Sequence, residues 1–313
     1  MSQIKILDIM IGSKCNLACY QCDTRSDIIK DTSYDDSIEQ IIEGVTLAQK
    51  HFSIETYSML GGEPLLYLDK IKEVVKHIRT TDTVARIVIP TNGMLLDKRN
   101  DELAELMLTY NVSLYVCNHF ASFEDTTLTN KVFNSAVEFA NKLKLTPYDR
   151  DQFIADITGN PVKEEQRNFN GNEQVFSNGK IQVWVRDQGE FHSHYYMTTA
   201  GPKPFMSGNP EESYREGCCS PFCNFLKNKK IYKCAALGTL EKFLTVHNSL
   251  DDPDWQKYLA YKPVDLETAT EEDISAFASN IYRASEFCDM CPSNNKQIFI
   301  KTPDKVLPIK ELK

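Results

Sequence analysis

Cys15-Asn16-Leu17-Ala18-Cys19-Tyr20-Gln21-Cys22 sets three cysteines in a C-x3-C-x2-C spacing directly after the apolar run 4–11. Three thiolates on one short loop can hold three irons of a [4Fe–4S] cube. The cube's fourth iron then has no protein ligand, as a catalytic zinc keeps an open position that a structural zinc lacks. An iron of that kind can bind a small molecule and pass it an electron. Zinc sites more often pair cysteines as C-x2-C with a second pair elsewhere and want four ligands, so the octet fits iron–sulfur better than zinc or inert thiols.

Outward from this loop, short apolar strands alternate with helical spacings. Residues 4–11 read as a buried strand closed by Gly12-Ser13. Residues 37–50 carry Ile38, Ile41, Ile42, Val45 and Ala48 on one helix face. Residues 55–60 read as a second strand and 68–79 as a second helix with Ile71, Val74, Val75 and Ile78 inward. Residues 84–89 make a third strand ended by Pro90, and 97–110 a helix with Leu103, Leu106 and Met107 inward. Residues 112–116 make a fourth strand, and 128–145 a helix with Phe133, Val137 and Ala140 on one side. Residues 152–157 read as strand five and 181–187 as strand six, with a polar stretch between them and a loop over 191–217. This alternation predicts βαβ units and a parallel sheet. Ligands in such folds gather at the carboxyl ends of the strands. The cysteines follow strand one, Gly61-Gly62-Glu63-Pro64 strand two, Thr91-Asn92-Gly93 strand three and Asn118-His119 strand four.

The C-x3-C-x2-C octet, the GGEP and the TNG resemble, in order and spacing over roughly the first 200 residues, the signature of the radical S-adenosylmethionine (SAM) superfamily. The resemblance implies an α/β fold, a partial (β/α)6 TIM-like barrel open on one side. It implies a [4Fe–4S] cluster on Cys15, Cys19 and Cys22 whose open iron binds SAM. One-electron reduction then cleaves SAM to a 5′-deoxyadenosyl radical that takes hydrogen from a substrate. Gly61 and Gly62 would let backbone approach the SAM methionyl group, with Glu63 and Pro64 completing the motif and Glu63 facing its ammonium. Thr91, Asn92 and Asn118 would line the same pocket. The family commonly has an aromatic residue before the third cysteine; here that residue is Gln21 and the aromatic is Tyr20, so both are candidates to pack on the adenine.

Of the ten cysteines, nine fall in two groups, and the second comprises Cys218, Cys219, Cys223, Cys234, Cys288 and Cys291. Cys117 stands alone and reads as a core thiol. Residues 223–234 read as a hairpin turning near Asn228, and Cys288 and Cys291 form a C-x2-C pair. This arrangement is similar to the twitch and SPASM auxiliary-cluster domains of radical SAM enzymes, and the absence of cysteines after Cys291 suits the shorter, one-cluster twitch form. The expected division is a core over 1–215 and a small cysteine-rich auxiliary-cluster domain over 216–313. Cys219, Cys234, Cys288 and Cys291 are the preferred ligands of an auxiliary [4Fe–4S] cluster, with Cys223 and Cys218 competing for the first place. A zinc ribbon is the alternative for the same residues.

The net charge of −9 weighs against a nucleic-acid backbone as partner. No run of 18 apolar residues exists, and the N-terminus lacks a signal pattern. A cytoplasmic protein is expected, with metal rather than disulfides explaining its cysteines. The expected partners are a reductant such as flavodoxin or ferredoxin and a small-molecule or peptide substrate. An auxiliary cluster suits net oxidation, such as alcohol dehydrogenation, or peptide maturation; redox-neutral sugar epimerisation also fits. The lack of a leader-binding extension before Ile4 weighs against ribosomal-peptide substrates. Arg186, His192 and His194 are candidates to face substrate. An iron–sulfur electron carrier or sensor without SAM chemistry, or a zinc-binding interaction protein, are the readings from other classes.

Overall fold

A computed structural model describes residues 2–19, 21–120, 126–158, 172–188, 190–191, 194–218, 221–293 and 300–301. Two compact units divide the chain: Met1–Ala85 with Phe191–Ile300, and Arg86–Glu190.

In the first unit, β1 (Ser2–Met10) buries Ile4, Leu7, Ile9 and Met10. Helix α1 (Ile38–His51) turns Ile41, Val45 and Ala48 inward, and starts at a capping box in which Ser37 Oγ accepts from Gln40 N at 3.2 Å. Ser37→Ala is expected to lower stability by about 1 kcal/mol, as for other N-cap serines, which urea unfolding would measure. Strand β2 (Phe52–Leu60) runs parallel to β1 from Ser2↔Phe52 to Met10↔Leu60. Helix α2 (Leu68–Thr81) buries Leu68, Ile71, Val74, Val75 and Ile78, the face its 3.6-residue period predicts.

The second unit holds β3 (Arg86–Thr91), α3 (Leu96–Tyr110), β4 (Val112–Asn118), α4 (Thr127–Lys142), β5 (Thr146–Tyr148), α5 (Arg150–Thr158), β6 (Glu173–Ser177) and β7 (Gln182–Asp187). Strands β3, β4 and β7 are parallel, and β6 and β5 continue antiparallel from β7. Three expectations change here. Pro90 does not end its strand; β3 runs on to Thr91 with Pro90 opposite Tyr115, forgoing one ladder donor. Residues 152–157 are helical rather than a strand, because Asp149 Oδ1 accepts from Gln152 N at 2.7 Å and caps the turn. Helix α4 turns Val132, Ala136 and Phe139 inward, leaving Phe133 and Val137 half-buried.

The chain returns to the first unit with a hairpin, β8 (Tyr196–Thr198) and β9 (Gly201–Lys203), inside the stretch that reads as loop. The cysteine hairpin forms as expected. Strands β10 (Cys223–Lys227) and β11 (Lys230–Tyr232) are joined by Asn228 and Lys229 at φ +51° and +56°. That two-residue turn with both centres left-handed matches the twist of paired strands. Strand β10 lies parallel beside β1, from Ile6↔Cys223 to Ile9↔Leu226. Beyond it a core of Leu237, Leu240, Phe243, Leu244, Trp255, Tyr258 and Met290 forms around Tyr195. The expected α/β class with a parallel-dominated sheet therefore holds. No helix among the described residues is long and apolar enough to cross a membrane.

Candidate functional site

The loop after β1 is fastened on both sides. Gly62 N donates to Gly12 O at 2.9 Å and Glu63 N to Lys14 O at 2.8 Å, so the GGEP backbone lies on residues 12–14. A Cβ on Gly61 would come to 2.4 Å from Gly12 O, and one on Gly62 to 2.1 Å from Lys14 O. The close approach that these glycines permit is to the chain's own backbone. From the other side, Thr24 Oγ1 donates to Gly61 O at 2.8 Å and lies 3.4 Å from Cys22 Sγ. Gln21 and Arg25, at φ +63° and +56°, bracket Cys22 in left-handed backbone that non-glycine residues rarely adopt. Strain of this kind gathers at functional loops.

Cys15, Cys19 and Cys22 are free thiols, buried or half-buried, and within electrostatic reach of one another. Burial pushes the Cys15 thiol up to about 12 and raises Cys19 and Cys22 as well. Such thiols are neutral at pH 7 until a metal displaces their protons. Leu17 N already donates to Cys15 Sγ at 3.4 Å. Three soft sulfur donors with backbone N–H groups aimed at them suit an iron–sulfur cluster. Glu63 is buried at the same place. Its charge acts on Cys15, and its Oε1 accepts from Leu65 N at 3.0 Å to cap the turn Pro64–Tyr67.

Other predicted residues sit as follows. The Gln21 side chain donates from Nε2 to Tyr195 O at 3.0 Å and accepts from His194 N at 3.3 Å, which pins the cysteine loop to residues 194–195. Tyr20, Cys219 and His192 lie outside the described residues. In the second unit, Thr91 Oγ1 accepts from Gly93 N and Asn92 Oδ1 from Met94 N, a turn at the end of β3. Asn118 is fully buried, its Nδ2 donating to Thr129 O at 3.1 Å and Asp187 Oδ1 at 2.8 Å. Arg186 is on β7 in the same unit.

The second cysteine group is drawn together around a cavity of about 40 Å³ lined by Cys218, Cys234, Cys288 and Cys291. Asp289 anchors the C-x2-C turn by accepting from Tyr258 Oη at 3.0 Å and Lys257 Nζ at 2.8 Å. Gly217, whose Cβ would lie 2.2 Å from Pro292 O, presses Cys218 toward that turn. Cys223 does not line the cavity; it hydrogen-bonds with Asp8. Among the described residues, no group of three or more His, Cys, Asp or Glu side chains is arranged to hold a single metal ion.

Sequence reasoning offers His194 as a substrate-facing candidate without its place here, and misses Arg25 and Asp8. His194 Nε2 lies 2.9 Å from Asp23 Oδ1, and its Nδ1 lies 3.5 Å from Cys291 Sγ, so it spans the two cysteine groups. Arg25, three residues after Cys22, is buried, and its charge acts on Cys234 and Cys291 of the second group. Asp8 was findable, as the one acid in the apolar run 4–11. It is buried on β1 opposite Ser58, and burial pushes its carboxyl up from 3.8 to about 6. The folded state thus holds this proton more tightly than the unfolded chain, so stability falls as pH rises from about 4 to about 6 and stays lower above. Asp8→Asn is expected to remove that slope and to stabilise the fold at pH 7.5 by on the order of 3 kcal/mol. Urea unfolding at pH 4 and pH 7.5 would measure both.

The first strand of this α/β sheet thus ends in a three-thiol loop backed by a glycine pair from the next strand. Residues 9–145 match the Radical SAM superfamily. It is 28% identical over 165 residues to "Probable GTP 3′,8-cyclase" of Methanococcus maripaludis, covering 51% of this chain and 53% of that one. It is 24% identical over 217 residues to "Radical SAM cyclopropyl synthase TigE" of Paramaledivibacter caminithermalis, covering 64% and 41%. Among solved structures it is similar to BtrN in complex with AdoMet and 2-DOIA, at 15% identity and a TM-score of 0.43, covering 98% of this chain and 100% of that one. The chain spans about half the length of the curated relatives it matches.

Proposed function

We propose that this protein is a radical SAM enzyme. Cys15, Cys19 and Cys22 hold a [4Fe–4S] cluster with one open iron, which when bound supplies reductive cleavage of SAM to a 5′-deoxyadenosyl radical that takes hydrogen from a substrate. The observation that carries this reading is the triad of buried thiols on a loop clamped by the GGEP backbone. Glu63 accepts from the SAM ammonium; its burial and the action of its charge on Cys15 support this role. The clamp runs through backbone atoms of residues 12–14 and 62–63, so it holds the loop without using the thiols themselves.

The two curated relatives differ in what their names say they make, a GTP cyclisation product and a cyclopropyl group. The superfamily match over residues 9–145 supports radical generation, and the relatives' different products leave the substrate open. Cys218, Cys234, Cys288 and Cys291 hold an auxiliary [4Fe–4S] cluster of the twitch type, which aids oxidation of the substrate or binds it. The electron comes from a flavodoxin or ferredoxin, the compartment is the cytoplasm, and the substrate is a small molecule or a peptide.

Anaerobic incubation with dithionite and SAM tests the first part. Formation of 5′-deoxyadenosine is the expected result. A cluster that reduces and reoxidises while SAM stays intact would make the protein an electron carrier. Iron-free, zinc-loaded protein would make it a zinc-binding scaffold.

A further inference from the structure

Arg25 follows Cys22 by three residues and is 1% exposed. Its Nε, Nη1 and Nη2 are all buried, and none has a hydrogen-bond partner among the described residues. The guanidinium lies 4.3 Å from the centroid of the Phe243 ring. A guanidinium stays charged in proteins and carries five N–H donors. Burying one with no hydrogen bond is strongly unfavourable unless a counter-charge sits nearby. Its charge acts on Tyr195, Cys234, Cys291 and, less strongly, Asp27, and also on His247. Tyr195 is a neutral phenol at ordinary pH. Asp27 is the carboxylate of this set; it acts on Arg25 less than the thiols do, and among the described residues no hydrogen bond joins its Oδ1 to the guanidinium. Cys234 and Cys291 come before it in strength, and both line the second cysteine cavity. They become anionic when a metal takes their protons.

We infer that Arg25 is the built-in counter-cation of the second cysteine site and raises the reduction potential of the cluster held there. The inference rests on the reading that this site holds an auxiliary cluster. Reduction adds one negative charge to a site that four thiolates already make anionic. A fixed positive charge in a low-dielectric surround favours that added electron. Because Arg25 belongs to the loop of the first cysteine group, one segment of chain both carries the SAM-cleaving site and poises the second site to accept an electron.

The test uses full-length protein with Cys15, Cys19 and Cys22 all replaced by alanine, so that iron reports the second site alone. After anaerobic reconstitution, the midpoint of that cluster is measured by an EPR-monitored redox titration with and without Arg25→Met. At the parent's midpoint, the ratio of reduced to oxidised cluster is expected to fall at least tenfold, which is 59 mV for one electron. Arg25→Lys should restore most of it. Thermal unfolding gives a second arm. Without metal, Arg25→Met should unfold at a higher temperature than its parent, because an uncompensated charge has been removed; with iron bound the order should reverse. A merely structural arginine would not produce this crossover. A parent that takes up zinc or nothing overturns the auxiliary-cluster reading and this inference with it. A parent that takes up iron but keeps its midpoint in Arg25→Met overturns this inference alone, as does metal-free Arg25→Met that is less stable than its parent or fails to fold.

Discussion

Cys19→Ala is expected to reduce 5′-deoxyadenosine formation to the background of the assay. Cys19 is the middle thiol of the triad and 7% exposed. Its replacement leaves two thiolates for a cube that needs three, and the affinity of a thiolate site depends on every ligand it loses. Burial keeps Cys15 and Cys22 neutral, so neither gains reactivity from the loss of its neighbour. Iron should fall from about eight to about four per chain if the second site keeps its own cube. The loop should still fold, because its clamps run through Thr24, Gln21 and backbone atoms of residues 12–14 rather than through Cys19. A variant that unfolded at the wild-type temperature yet made no 5′-deoxyadenosine would isolate the ligand role. Cys117→Ala, a change at a thiol on β4, serves as the control and should leave product and iron unchanged. If Cys19→Ala instead kept a tenth or more of the wild-type rate, the three-thiolate cluster assignment would fail.

Local pattern and distant pairing explain what could be read in advance. Strands β1 to β4 and helices α1 to α3 were readable because each carries its period inside one short segment, as Ile71, Val74, Val75 and Ile78 do on α2. Helix α5 was misread because one capping bond at Asp149 outweighed the β-forming content of residues 152–157. The pairing of β10 with β1 joins residues more than 200 positions apart, and no local signal encodes that neighbour. For the same reason the sequence leaves Cys223 competing with Cys218 and Cys219, while its hydrogen bond with Asp8 is visible only in the fold. The C-x2-C pair was visible, yet the buried cation beside it was not. Arg25 sits in a polar tetrapeptide, Asp23-Thr24-Arg25-Ser26, that reads as solvated loop. Only the fold reveals that Thr24, Arg25 and Ser26 are buried. Gln21 shows the same limit, since its αL backbone and its hold on residues 194–195 depend on a partner far along the chain.

Gly62→Ala should be as damaging to metal loading as loss of a ligand, though Gly62 carries no donor side chain. The added Cβ would lie 2.1 Å from Lys14 O and 2.5 Å from Lys14 C, with Ser13 O at 2.7 Å. These are backbone atoms of the segment that leads into Cys15, so no rotamer change can relieve the clash. The segment is also held from outside, by Ser13 N donating to Asp35 Oδ1 at 2.9 Å and Lys14 N to Tyr67 Oη at 2.6 Å. Either the Glu63 N to Lys14 O bond at 2.8 Å breaks, or the cysteine loop moves with residues 12–14. Overpacking a rigid site costs about 1–3 kcal/mol, and a buried hydrogen bond lost with it about 1 more. That is an expected fall in Tm of about 4–16 °C at the usual 2–4 °C per kcal/mol for larger domains. Iron at the first site should be lost, because ligands displaced by an ångström no longer match a cluster of fixed geometry. Gly179→Ala is the matched comparison: its φ is +82°, but a Cβ there meets nothing within 4 Å. It carries only the left-handed backbone penalty, about 1 kcal/mol, and should load iron normally. Iron content, 5′-deoxyadenosine formation and Tm measured on both variants would separate backbone strain from close approach. Full iron loading by Gly62→Ala would mean that the GGEP segment does not set the position of the cysteine loop.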